Sequence, residues 1–195
     1  MYSAAVNTGA GIKNIIETEI RQTMAGLTHI YCGDGKGKTT AALGLAVRCA
    51  GSGRQVLLLQ FFKDGKSSEF AALARVPGVT VIPQTRSFGF SWTLSPAEKE
   101  EARTYYAGLL EEAFARAGDF DLLVLDEAMS ALSTGMIGEA RLLELLAGRK
   151  AELEVVMTGR DPSRALLDAA DYVTEMRLVK HPFQRGVPAR EGIEY

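Results

Sequence analysis

Residues 28–40 read THIYCGDGKGKTT, and AALGLAVRCA follows directly. A β-branched and aromatic run, a loop with glycine at every second position, and an alanine- and leucine-rich run spell strand, tight loop and helix in that order. Such a segment commits the chain around it to layers, because the strand must be covered by helices. Closely spaced glycines also let a backbone curl so that several N–H groups point into one concavity, the arrangement that a chain of phosphates needs. Gly33, Asp34, Gly35, Lys36, Gly37, Lys38, Thr39 and Thr40 are therefore the candidate nucleotide-binding residues. Lys38 adds a cation, Thr39 brings a hydroxyl to the first turn of the helix where Mg²⁺ would sit, and the helix N-terminus favours negative charge. The stringent pattern G-x-x-x-x-G-K-[ST] is not met, because Cys32 occupies its first position.

A second apolar run, Leu122 to Leu125, ends in Asp126-Glu127. Carboxylates at the C-terminal end of such a strand line the crevice of an open α/β sheet and can hold a divalent cation against phosphates, so Glu127 joins Thr39 as a candidate metal contact. Further strands are expected at 55–61, 79–83, 154–158 and 172–176, several too apolar for a sheet with one wet face. Helices are expected at 38–50, 96–117, 139–147 and 163–170, two of them opened by Ser95-Pro96 and Asp161-Pro162. The fold class that follows is α/β, a P-loop NTPase (RecA-like) three-layer fold with a mostly parallel central sheet flanked by helices. Residues 27–195 form the P-loop nucleotide-binding domain on this reading, and residues 1–26 an N-terminal arm in which Ile12, Ile15, Ile16 and Ile20 recur at helical spacing. The stretch 179–195 reads as a loop or tail.

Composition removes other classes. The chain has 195 residues, 47% of them apolar, with 22 Lys and Arg against 24 Asp and Glu, a net charge of −2 that gives no broad electrostatic footprint for nucleic acid. No apolar run approaches the ~20 residues of a membrane-spanning helix, and the first residues lack the pattern of a secretory signal, so a cytoplasmic location is expected. Cys32 and Cys49 make no disulfide framework, and with His29 and His181 the only histidines a zinc cluster is not expected.

The phosphate loop alone does not choose among phosphoryl transfer, switching and transfer of another part of ATP. The nearest match to a guanine-recognition motif, Thr158-Gly159-Arg160-Asp161, lacks its lysine, and the arginines after residue 140 are too scattered for the lid of a small-molecule kinase. A P-loop ATPase or kinase, or a RecA-like regulatory ATP-binding module, is the alternative left by the residues themselves. The motifs taken together, however, resemble the P-loop ATP:corrinoid adenosyltransferases, also called cob(I)alamin adenosyltransferases. The resemblance is carried in order by the loop from Gly33 to Ala42, Gln60-Phe61-Phe62-Lys63, Gly89-Phe90-Ser91-Trp92, Val124-Leu125-Asp126-Glu127, Thr158-Gly159-Arg160, Val179-Lys180-His181-Pro182-Phe183 and Gly192-Ile193-Glu194-Tyr195.

That resemblance implies transfer of the 5′-deoxyadenosyl group of ATP to Co(I) of a reduced corrinoid such as cobalamin, with release of inorganic triphosphate. ATP and the corrinoid are then substrates, Mg²⁺ the cofactor, and an electron donor, such as a flavoprotein, and a second copy of the chain in a homodimer the partners. It further implies a nucleotide lying in the loop in the opposite sense from ordinary ATPases. Lys38 and Thr39 take catalytic roles on this reading, Arg160 a nucleotide contact, and Phe90 and Trp92 the lower face of the corrinoid, where they exclude the axial nitrogen ligand. After Glu127 the chain departs from many relatives, reading Ala128-Met129-Ser130-Ala131-Leu132-Ser133-Thr134-Gly135.

Overall fold

The computed structural model describes residues 25–63, 68–89 and 93–193. The expected N-terminal helix and the aromatic residues Phe90 and Trp92 lie outside the described residues. Six strands make one sheet: β1 Thr28–Cys32, β2 Val56–Gln60, β3 Val79–Val81, β4 Leu122–Asp126, β5 Glu154–Thr158 and β6 Tyr172–Glu175. Their order is β3-β2-β4-β5-β1-β6, and every neighbouring pair is parallel. Parallel neighbours require crossovers, and helices supply them. These are α1 Lys38–Gly51, α2 Ser68–Leu73, α3 Pro96–Arg116, α4 Ala128–Ser133, α5 Glu139–Gly148 and α6 Arg164–Ala169.

The period of two along each strand sorts its side chains between two cores. Leu57, Leu59, Leu123, Leu125, Val155 and Met157 face one way, into a cluster with Tyr106 and Leu110 of α3. Val56, Leu58, Leu122, Val124 and Val156 face the other way and meet Ala42, Ala46 and Ala50 of α1. Covered on both sides, β2 and β4 are buried at every position, which explains their continuous apolar sequence. Each fully buried aliphatic side chain contributes about 1.5–3 kcal/mol. Alanine at every fourth position of α1 lets that helix lie close to the sheet, so the phosphate loop at its start is held against the strand ends.

Helix α3 starts as its sequence predicts. Ser95 accepts from the Glu98 N–H, Glu98 reaches back to the Ser95 N–H, and Pro96 stands in the first turn. Its charged residues make surface ion pairs, Arg103 with Glu100 and Arg116 with Glu112, while Glu111 accepts from Nε and Nη2 of Arg141 on α5 with its two carboxylate oxygens. Exposed pairs of this kind contribute little to stability.

Among the described residues, every expected strand and helix forms, with ends shifted by a residue or two. Helices α2 and α4 were not expected: at six residues each they are too short to show a helical period. In the tail, Pro182–Arg185 forms one 3₁₀ turn. Both cysteines are free, and burial pushes their thiols above the ordinary value. Among the described residues, no helix is long and apolar enough to cross a membrane.

Candidate nucleotide site

The C-terminal residues of three adjacent strands are polar: Gln60 ends β2, Asp126 ends β4 and Thr158 ends β5. Strand parity puts them on the face covered by α1, since they continue the series Val56-Leu58, Leu122-Val124 and Val156. Register brings Gln60 opposite Asp126. All three are fully buried, so their polar atoms need partners. Asp126 gathers them: its carboxylate accepts from Thr158 Oγ1 at 2.6 Å, from Gln60 Nε2 at 2.9 Å and from Thr39 Oγ1 at 2.9 Å. Burial pushes the Asp126 carboxyl above its ordinary value, against the pull of those three donors.

Because Thr39 donates its proton to Asp126, its oxygen lone pairs stay free for a cation. Thr158 also accepts from the backbone N–H of Glu127 at 2.9 Å. Glu127 itself adopts φ 59°, the left-handed turn that ends β4 and aims the chain into α4. Its carboxylate accepts from Ser130 Oγ at 2.6 Å. The hydroxyl of Thr39, the Glu127 carboxylate and the buried, unpartnered Gln60 Oε1 are all hard oxygen donors, which is the chemistry that suits Mg²⁺.

The glycines of the loop do different work. Gly37, at φ 114°, makes the left-handed entry into α1. Gly33 and Gly35 are required by a close approach: a Cβ would stand 2.5 Å and 2.6 Å, respectively, from the Met176 carbonyl oxygen. The Gly35 N–H donates to that same oxygen at 2.7 Å. These two glycines therefore serve packing against the chain leaving β6 as well as any phosphate. Lys38 bends back over the loop, its Nζ donating to the Gly35 carbonyl at 2.8 Å. Burial, aided by the charge of Arg160, lowers its pKa from the ordinary lysine value. An anion would restore it, and the ammonium is thus placed to leave the carbonyl for a phosphate.

A cleft of about 700 Å³ opens over this loop. Asp34, Gly35, Lys36, Gly37, Lys38, Thr39, Thr40, Glu127 and Arg160 all line it, so the fold gathers nearly every described residue the sequence nominated. Gly33 sits just behind, under Met176. Two loop residues act on the tail: Asp34 Oδ1 accepts the Leu178 N–H at 2.9 Å, and Lys36 Nζ donates to the Ile193 carbonyl at 2.8 Å. Sequence reading missed the parts played by Gln60, Thr158 and the tail, and placed weight on Glu127 where Asp126 anchors Thr39. A signal for the first two existed, since each is the polar last residue of an apolar strand on the same face as Asp126.

A glycine loop joining a strand to a helix, at the C-terminal ends of an all-parallel sheet, defines a P-loop protein of the α/β class, built to bind a nucleotide. Residues 24–195 match the family described as ATP:corrinoid adenosyltransferase BtuR/CobO/CobP. The corrinoid adenosyltransferase of Pseudomonas aeruginosa is 33% identical over 94% of this chain and 91% of its own length. Those of Salmonella typhimurium and Escherichia coli K12 are 32% and 31% identical, each alignment covering 94% of both chains. The chain belongs to the ATP:corrinoid adenosyltransferase family.

Proposed function

We infer that this chain transfers the 5′-deoxyadenosyl group of ATP to Co(I) of a reduced corrinoid and releases inorganic triphosphate. The observation that carries the reading is the family match over residues 24–195, which spans the whole phosphate cleft. In the reaction the electron pair of Co(I) attacks C5′, the C5′–oxygen bond breaks, and its electrons leave on the triphosphate. The corrinoid supplies the nucleophile, so the protein's work is orientation and electrostatics.

The loop N–H groups and Lys38 would hold the triphosphate and stabilise the charge that gathers on it as the bond breaks. Thr39, oriented by Asp126, and Glu127 are the residues that would hold Mg²⁺. When bound, Mg²⁺ supplies neutralisation of the triphosphate's charge. Arg160, which lines the same cleft, would add a contact to the nucleotide. Phe90 and Trp92 complete the proposal as an apolar wall on the lower corrinoid face, excluding an axial ligand and easing reduction of Co(II). A homodimer working in the cytoplasm with an external electron donor, and without nucleic acid, belongs to the same reading.

The test is an anaerobic incubation with ATP, Mg²⁺ and chemically reduced cob(I)alamin, in which adenosylcobalamin is followed by its spectrum and triphosphate is assayed. Both products are expected in equal amounts. Release of ADP without adenosylcobalamin would overturn the reading in favour of an ATPase or kinase.

A further inference from the structure

The chain that leaves β6 does not run off into solvent. It crosses the loop at Met176, whose carbonyl accepts the Gly35 N–H, and is then pinned twice more by loop side chains: Asp34 to the Leu178 N–H and Lys36 to the Ile193 carbonyl. Between those two pins lies His181, which lines the same cleft as Lys38 and Thr39. Its Nδ1 accepts the backbone N–H of Phe183 at 3.2 Å. With Nδ1 used as an acceptor, the neutral imidazole carries its proton on Nε2, a donor with no protein partner among the described hydrogen bonds.

We propose that His181 is a triphosphate-binding residue, donating from Nε2 to an oxygen of the phosphate chain held in the loop. The tail's pins are both residues of the phosphate loop, and His181 lines the cleft together with Lys36, Lys38 and Thr39. Asp34 and Lys36 are then positioning residues for it. The ligand class is a polyphosphate anion, whether the triphosphate of ATP or the free triphosphate product. This inference rests on the proposed function for its substrate, yet it can be tested without turnover.

The experiment compares the wild type with His181→Ala and His181→Gln by calorimetric titration with inorganic tripolyphosphate in Mg²⁺ buffer, and separately with adenosine, alongside Tm. A hydrogen bond to a charged group is worth about a tenfold change in Kd or more. His181→Ala is expected to weaken tripolyphosphate by at least that factor while Tm and the adenosine Kd stay as in the wild type. His181→Gln, which keeps an N–H donor, should recover most of the affinity. Equal tripolyphosphate affinities for wild type and His181→Ala would overturn the proposal, as would a loss confined to adenosine. A wild type that binds tripolyphosphate through His181 but makes no adenosylcobalamin would defeat the proposed reaction and leave this site standing.

Discussion

Lys38 rests on a carbonyl of its own loop, so its charge is stored within reach of the anion it would meet. Lys38→Ala should lower turnover by about 10²–10³-fold, the usual effect of losing one group that stabilises developing negative charge. Near-normal adenosylation by that variant would show that the loop does not hold the leaving group. Asp126 acts one step back. Asp126→Asn presents an N–H₂ group to a site already crowded with the donors Thr39, Thr158 and Gln60, leaving at least one of them unsatisfied. The cost to stability should be about 1–3 kcal/mol by urea melting. Its rate deficit should be larger at limiting than at saturating Mg²⁺, because Thr39 loses its orientation; a deficit independent of Mg²⁺ would argue that Asp126 serves stability alone. At this scale the sequence displayed Lys38 and Thr39 through their place after the glycines. It did not display which of two adjacent acids would turn inward, since that depends on strand parity against α1.

Among the elements, the loop and the chain after β6 depend on each other. Gly35→Ala would set a Cβ 2.6 Å from the Met176 carbonyl oxygen and 2.8 Å from the Arg177 carbonyl carbon. Neither is the free end of a side chain, so backbone must shift, at a cost of about 1–3 kcal/mol. Melting at the wild-type urea midpoint would show that the approach relaxes without strain. Sequence pattern revealed the helices that have caps or a long period, such as α3 with Ser95 and Pro96, and the strands with continuous apolar runs. It was silent on α2 and α4, whose six residues are too few to carry a helical period.

Across the whole molecule, charge is used mostly in local pairs, and one of them ties the sheet together away from the cleft. Glu154 on β5 meets His29 on β1 and accepts the Leu27 N–H at 2.8 Å. Burial opposes its ionisation, but those partners outweigh it and hold the carboxyl below the ordinary value of 4.5. A carboxyl depressed in the folded state stabilises the fold fully above its unfolded pKa and loses that contribution as pH falls through the folded one. Glu154→Gln should therefore lower Tm at neutral pH, with the gap to wild type closing as pH drops below about 4.5. A gap constant with pH would mean that shape, and not charge, matters there. The layered α/β fold, the phosphate loop and the family were determined by the sequence alone, because each rests on local order: alternating apolar runs, glycine spacing, and motifs read along the chain. Tertiary structure decided the rest. Only the parallel register brings Gln60, Asp126 and Thr158 to one row beneath Thr39, and only the return of the tail over Gly33 and Gly35 brings His181 into the cleft lined by Lys38 and Thr39, since both bring together residues that lie far apart along the chain.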